Sequence, residues 1–184
     1  MAISRNTLTN VDTYDINGDY FATVEQQICL GYTYGNNDIA SSEKTDKAVK
    51  ELLYGVPING YYTVFMDSIA DIVDAVGYLQ HRDDSNAPRL ERQKAFISSF
   101  VDRAKSAMLS DLSLPIKMYK KLAANTVTDV SAASAVYLAS EALYADFQVI
   151  GIEGESGTDG TYETFIPYEE QLFELILDVF YKNK

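Results

Sequence analysis

The sequence predicts an α/β chain of the layered α+β kind, in which helices cover a small central mixed sheet. Strand-like and helix-like stretches alternate along the 184 residues, an order that places helices over a sheet. Ile97, Phe100, Val101, Ala104 and Met108 repeat at i, i+3, i+4, i+7 and i+11, the stripe of an amphipathic helix. Tyr61–Met66 is aromatic and β-branched, the composition of a strand. The length suits a single domain, 1–184, able to bury a core without disulfides or metals.

Each element has its own signal. Residues 1–24 read as a short strand start followed by a turn-rich strip, with Asn17-Gly18-Asp19 as a hairpin tip between Tyr14 and Tyr20. Glu25–Tyr34 can form a short helix stopped by Gly35. A second helix runs from about Ser41 to Tyr54, with Ala48, Val49, Leu52 and Leu53 inward and Gly55 and Pro57 behind it. After the strand Tyr61–Met66, Asp67 or Ser68 caps a helix over Ile69–Val76. The polar stretch from Gly77 to Pro88 leads into the striped helix, Arg89 to about Met108. A helix over Ile116–Ala124 follows Pro115, and Ser131 caps another whose inner side is Ala135, Ala139, Ala142 and Leu143. Phe147–Ile152 reads as a strand, Gly151–Gly160 as a loop and Tyr162–Ile166 as the partner strand. The last helix, Pro167–Tyr181, opens with proline and two glutamates and carries Leu172, Phe173, Ile176, Val179 and Phe180 inward.

Composition removes several function classes. Hydrophobic residues at 47% and charged residues at 23% exclude a disordered chain. The net charge of −12 argues against nucleic acid, whose phosphates would be repelled. The acid is concentrated at the end: Ser131–Lys184 holds ten acidic residues against Lys182 and Lys184. Cys29 is the one cysteine, so neither a disulfide within the chain nor a cysteine-rich zinc site can form, and its apolar setting reads as a small buried hydrophobe. The sequence contains no apolar run of transmembrane length and does not begin like a signal peptide, so the chain is expected to be soluble.

Positive charge gathers in one region. Arg82, Arg89 and Arg92 lie between Gln80 and Gln93, and Arg5 stands near the start. Arginine grips phosphate bidentately, and Arg89 and Arg92 share the first turn of a helix, whose free N–H groups also favour an anion. The competing reading pairs these arginines with Asp83, Asp84 and Glu91 as a solvated network. Other candidates are weaker. His81 is the one histidine, and a triad joining it to Cys29 would need a geometry that nothing in the sequence supports. Asp83-Asp84 could meet Mg²⁺, but an Asp pair in a loop is more often a turn or a helix-proximal cap. Gly154-Glu155-Ser156-Gly157 lacks the Lys-Ser/Thr step of a phosphate loop. The fourteen tyrosines are scattered, and packing explains most of them.

Taken together, these segments resemble the LytR–CpsA–Psr (LCP) family of cell-wall glycopolymer transferases. Ile3-Ser4-Arg5-Asn6-Thr7 is similar to the family's Ser/Pro-Arg-Asp-Thr segment, and Leu30-Gly31-Tyr32-Thr33-Tyr34-Gly35 to its Ala-Tyr-Ala-Tyr-Gly helix end. Ala48–Ile58 resembles its helix–Gly–Ile/Val-Pro-Ile passage, and Ile72–Gly77 its Val-Asp-Ala-Leu/Val-Gly motif. Arg82-Asp83 and Ala87–Gln93 resemble its Arg-x-Arg-Asp … Arg-x-x-Arg-Gln signature. Leu114-Pro115, Val127–Ser131 and Leu175–Tyr181 extend the likeness over nearly the whole chain.

The resemblance implies transfer of a glycopolymer, such as a teichoic acid or capsular chain, from a polyprenyl-pyrophosphate carrier to peptidoglycan at the extracytoplasmic face of the membrane or in the cell wall. It implies catalytic roles for Arg5, Arg82 and Asp83, pyrophosphate binding by Arg5, Arg82, Arg89, Arg92 and Gln93, and assistance by Mg²⁺. It also implies an apolar groove for the prenyl tail, with Ile97, Phe100, Leu138 and Phe173 as candidate walls. The sequence departs from the family in several places. The two metal-binding aspartates and first strands expected upstream of Ser4-Arg5 are absent, and a strand pair, loop and helix expected after Gly77 are missing. Gln80 stands for an arginine and Asn6 for an aspartate. The domain therefore reads as shortened at its start and internally, with no metal ligand of its own and only a weak or ligand-dependent Mg²⁺ site. Two function classes follow: a phosphotransferase, or a non-catalytic polyprenyl-phosphate-binding or protein-interaction module of the same fold. Loss of upstream strands would leave Tyr61–Met66 or Phe147–Ile152 as an open edge, so the chain is expected to self-associate, most simply as a two-fold homodimer, or to borrow strands from a partner.

Overall fold

Residues 1–65, 89–123 and 125–182 are described in a computed structural model, in which the side chains of 89–93 stand outside the description. The helix expected over Ile69–Val76 and its cap at Asp67 or Ser68 lie outside the described residues. The described chain forms two compact units, Met1–Asn59 with Gly151–Lys184, and Gly60–Ile150. Helices and small sheets mix in both, so the α/β class read from the sequence holds. The named strands form three two-stranded antiparallel pairs, not one central sheet.

In the first unit, β1 (Leu8–Tyr14) pairs antiparallel with β2 (Tyr20–Gln27). The turn expected at Asn17-Gly18-Asp19 is present: the Asp15 carboxylate accepts the N–H groups of Asn17 and Asp19, both at 2.9 Å. The helix expected from Glu25 is corrected. Glu25, Gln26 and Gln27 complete the ladder opposite Asn10, Thr9 and Leu8, and only Ile28–Tyr34 is helical, as a 3-10 helix. The Ile28 N–H donates to the Thr7 carbonyl at 2.8 Å, which commits the backbone to the sheet up to that point. Next comes α1 (Asp38–Leu52). It begins before Ser41 because the Asn37 side chain accepts the Ala40 N–H at 2.9 Å and caps the end. Its last residue is Leu52, Leu53 is the cap, and the Gly55 N–H closes on the Lys50 carbonyl at 2.9 Å.

The chain returns to this unit at Gly151. Here Phe147–Ile152 is not a strand, and Gly151 makes only an isolated bridge to Ala2. The strand lies instead inside the expected loop: β5 (Gly154–Thr158) pairs with β6 (Glu163–Pro167). Glycine at 154 permits the pairing, since a Cβ there would lie 2.3 Å from the Ile166 carbonyl oxygen. A parallel bridge from Thr7 to Phe165, with the Phe165 N–H on the Asn6 carbonyl at 2.9 Å, ties the two hairpins into a layer of mixed sense. Pro167 belongs to β6, so the last helix starts later than expected. It is α5 (Glu169–Ile176), followed by a π-helical turn, Leu177–Tyr181.

The core of this unit is Val11, Ile28, Ala48, Leu52, Leu53, Val56, Ile152, Leu172 and Ile176. Of the expected inner stripe of the last helix, Leu172 and Ile176 are buried, whereas Phe173, Val179 and Phe180 are exposed. The wider π-helical turn carries the last two off the helical stripe. Phe173 packs edge-on to Tyr54 with ring centroids 5.8 Å apart.

In the second unit, β3 (Tyr62–Val64) pairs with β4 (Thr126–Thr128). Of the strand expected over Tyr61–Met66, Met66 lies outside the described residues and Tyr62–Val64 form the ladder, because β4 offers only three residues: the Thr126 hydroxyl turns back to the Leu122 carbonyl, and the Asp129 carboxylate takes the Tyr61 N–H at 2.8 Å. The helices are α2 (Arg89–Ser110), α3 (Leu114–Leu122) and α4 (Ala132–Ala142). Pro115 sits in the first turn of α3, and Ser131 caps α4 by accepting the Ser134 N–H at 3.1 Å. On α4, Ala135, Ala139 and Leu143 are partly covered, while Ala142 is exposed and not on the inner side as expected.

The α2–α3 joint is held by Asp111. Its carboxylate accepts from Lys117 Nζ at 2.7 Å, Ser113 Oγ at 2.6 Å and the Ser113 N–H at 2.9 Å. These bonds, the Lys117 one first, pull the Asp111 carboxyl from 3.8 down to about 2. A lowered carboxyl pKa stabilises the fold fully above the ordinary value, and that stabilisation is lost as pH falls through the folded one. The α2–α3 joint is therefore expected to loosen between pH 3.8 and about 2. Carboxyl ¹³C titration should find Asp111 titrating near the lower value, and Asp111→Asn should remove this part of the acid dependence.

Candidate functional site

The second unit carries an apolar cavity of about 490 Å³ that is open to solvent on one side. Ala104 and Met108 of α2, Met118 and Leu122 of α3, and Ala135 and Ala139 of α4 supply most of its wall, with Leu138 beside them and β3–β4 closing one side through Tyr62, Thr126 and Thr128. The local sequence explains the space. Alanines one helical turn apart hold the wall back, and methionine adapts its shape to whatever enters. The threonines offer little polarity, because Thr126 Oγ1 donates to the Leu122 carbonyl at 3.0 Å and Thr128 Oγ1 to the Tyr61 carbonyl at 2.6 Å. Burial pushes the Tyr62 phenol above its ordinary 10.0, against a hydrogen bond with Thr128 that lowers it, so the ring stays neutral at physiological pH. Such a space accepts a long apolar chain by removing it from water.

Of the four walls named from sequence, Leu138 lines this cavity. Ile97 and Phe100 do not, and Phe100 instead stacks on Phe96 with centroids 6.3 Å apart. Phe173 belongs to the first unit. Met118 and Leu122 were not singled out in the sequence. Their signal is the amphipathic pattern of α3 with Pro115 at its head.

Arg5 is in the first unit, on a turn whose backbone is fixed on both sides. The Thr7 N–H donates to the Ser4 carbonyl at 3.1 Å, the Arg5 carbonyl accepts from the Cys29 N–H at 3.3 Å, and the Asn6 carbonyl accepts from Phe165. The Arg5 side chain is exposed and has no ion-pair partner among the described residues, so its guanidinium can meet an anion. Asn6 donates Nδ2–H to Glu163 Oε2 at 3.3 Å. A carboxylate at 6 would face that glutamate as a like charge. Cys29 is half-buried, with Sγ 4.0 Å from Gln27 Oε1.

Arg82 and Asp83 lie outside the described residues, as does His81. Arg89, Arg92 and Gln93 belong to the opening turns of α2 with their side chains outside the description, so the expected gathering of Arg5, Arg82, Arg89 and Arg92 lies outside the described residues. Among the described residues, no group of three or more His, Cys, Asp or Glu could hold a metal ion. Mg²⁺ usually takes one or two carboxylates together with substrate phosphates, so the assistance by Mg²⁺ that the resemblance implies belongs to the proposal below and is no reading of the described residues. No helix among them is long and apolar enough to cross a membrane.

Thr7 is wholly buried, and its hydroxyl has no hydrogen-bond partner among the described residues. An unpaired buried hydroxyl costs about 1–3 kcal/mol. Thr7→Val keeps the shape and removes the polar atom, so it is expected to raise stability by about 1 kcal/mol. A urea midpoint that falls in this variant would show that the hydroxyl is paired.

No protein-family model and no curated protein sequence matches the chain. Solved structures do match it. A transcriptional regulator, yvhJ, from Bacillus subtilis is 18% identical with a TM-score of 0.67, over 96% of this chain and 76% of that one. TagV of B. subtilis is 18% identical with a TM-score of 0.66, over 96% and 80%. TagT, solved bound to LIIa-WTA, is 18% identical with a TM-score of 0.63, over 96% and 75%. At such identities the likeness is one of fold. The fold class is therefore that of the LCP proteins TagV and TagT, as the sequence motifs suggested.

Proposed function

We propose that this chain binds a polyprenyl-pyrophosphate-linked glycopolymer and serves its transfer to peptidoglycan, as the LCP resemblance implies. The observation that supports this reading most is the apolar cavity between α2, α3, α4 and β3–β4, a container for the prenyl tail in a fold shared with a protein solved with LIIa-WTA bound. In this proposal Arg5 neutralises phosphate charge, joined by Arg82, Arg89, Arg92 and Gln93. Transfer is phosphoryl chemistry at the pyrophosphate, in which arginines stabilise the charge on the phosphate oxygens. Arg5, Arg82 and Asp83 take the catalytic roles that the resemblance implies, and Mg²⁺ would come with the phosphates of the ligand. The site of action is the extracytoplasmic side of the membrane or the cell wall.

One observation favours a non-catalytic binder of the same ligand. At the position of the family's aspartate, Asn6 is spent on a structural hydrogen bond to Glu163. Thermal shift with farnesyl pyrophosphate, with and without Mg²⁺, separates the readings. Stabilisation that requires Mg²⁺ supports the transferase, and stabilisation indifferent to it supports the binder. No shift in either condition would overturn both.

A further inference from the structure

The first unit carries a second concavity, of about 450 Å³, on the face where the β1–β2 hairpin meets α1. Asn10, Asp12 and Tyr14 are alternate residues of β1 and so point to one side, while Val11 between them is in the core. Thr23 is the direct cross-strand partner of Asp12, and Tyr20 is the partner of Tyr14 beyond a register shift. Lys47 and Glu51, one turn apart on α1, complete the lining. The two tyrosine rings meet edge to face with centroids 6.3 Å apart, and Tyr20 remains 60% exposed.

The polar groups form an ordered relay. Thr23 Oγ1 donates to Asp12 Oδ1 at 2.6 Å, so in the Tyr20–Thr23 hydroxyl pair, at 2.9 Å, tyrosine is the donor. Lys47 closes the other end by donating to Asp12 Oδ2. The Lys47 bond first, and the Thr23 bond next, hold the Asp12 carboxyl below its ordinary 3.8, so it is an acceptor at neutral pH. The chain of donors runs inward, which leaves the Tyr20 oxygen as an outward-facing acceptor for a ligand hydroxyl, strengthened by the bonds behind it.

Charge selects what can enter. Lys47 is committed to Asp12, and the Lys44 ammonium sits 2.9 Å over the centre of the Tyr14 ring. Neither cation is held in reserve for an anion, and Glu51 would repel one. The Asp12 carboxylate is already matched by Lys47, so a cation gains little. The remaining complement is an uncharged molecule with several hydroxyls and a C–H face to lay on the Tyr20 ring.

We propose that the cleft between β1, β2 and α1 is a saccharide-binding site, which takes an uncharged sugar unit on the Tyr20 ring with a hydroxyl donated to the Tyr20 oxygen. Binding follows from this cleft alone, but the sugar's meaning, as part of the donor or acceptor glycan, rests on the function proposed above. The test is a ¹⁵N–¹H titration of the full chain with an N-acetylglucosamine tetramer, with cellotetraose and with inorganic pyrophosphate. Either sugar is expected to shift the amides of Asn10, Thr23 and Lys47, and Tyr20→Ser and Thr23→Val are each expected to weaken it at least fivefold. Tyr162→Ser, at another exposed tyrosine of the same unit, should change nothing. Silence from both sugars, shifts with pyrophosphate alone, or equal binding by the Tyr20 and Thr23 variants would overturn the site. Farnesyl pyrophosphate added to the same sample is read at Met118 and Ala135, so loss of the lipid reading is seen separately from loss of this one.

Discussion

Ala135→Trp is expected to weaken farnesyl pyrophosphate binding more than tenfold while leaving the affinity for inorganic pyrophosphate unchanged. Ala135 lines the apolar cavity from α4, opposite Ala104 and Met108 of α2. An indole there occupies space the prenyl chain needs. Each methylene kept in water forfeits about 0.8 kcal/mol, so excluding two or three costs about 2 kcal/mol and more than a factor of ten in affinity. The helix itself tolerates the change, since tryptophan is less than about 0.7 kcal/mol worse than alanine in a helix interior. Ala133→Trp, on the exposed side of α4, controls for that cost and should bind normally. Titration calorimetry with both ligands reads the split. Equal loss for farnesyl and inorganic pyrophosphate would mean that the substitution damages the fold, and no loss for either would remove the cavity from the proposed function.

Local signals were legible where one residue type has one mechanism. Ser131 caps α4 because a hydroxyl there meets a free N–H, and Gly55 follows α1 because the chain must turn back on it. The α2 stripe announced Ala104 and Met108, both of which line the cavity. Pairing was not legible, because it depends on distant residues. Gly154–Thr158 is poor in strand formers and becomes a strand only because Glu163–Pro167 lies against it. Phe147–Ile152 has the composition of a strand but meets no partner ladder, so it stays irregular. The polar cleft was hidden for the same reason. Asn10, Asp12 and Tyr14 show a period of two, and Lys47 and Glu51 a period of four, but only the hairpin register places Thr23 opposite Asp12. The arginines were singled out by charge, and their grouping rests on the family resemblance, since Arg82 lies outside the described residues and Arg89 and Arg92 outside the described side chains.

Gly35→Ala is expected to destabilise the protein by about 3 kcal/mol, although nothing in the backbone conformation forbids a side chain. Gly35 has φ −82° and ψ 146°, extended geometry open to any residue. Restricting the unfolded chain would even favour alanine by about 0.4–1 kcal/mol. The obstacle is the approach of α1. A Cβ at 35 would lie 2.2 Å from both the N and Oγ atoms of Ser41 and 2.5 Å from its Cα. Ser41 is buried, its N–H is spent on the Asn37 carbonyl at 2.9 Å, and α1 is anchored further along by Ala48 and Leu52 in the core. Relief therefore requires the first turn of α1 or the end of the 3-10 helix to move, which breaks the Asn37 cap and opens the packing behind it. Overpacking of this kind costs about 1–3 kcal/mol, and a lost cap about 1 kcal/mol more. Glycine at 35 is thus required by packing, not by backbone conformation. Urea denaturation of Gly35→Ala beside Asn36→Ala, an exposed neighbour, is the measurement. A Gly35→Ala midpoint no lower than that of Asn36→Ala would show that α1 does not pack against this glycine.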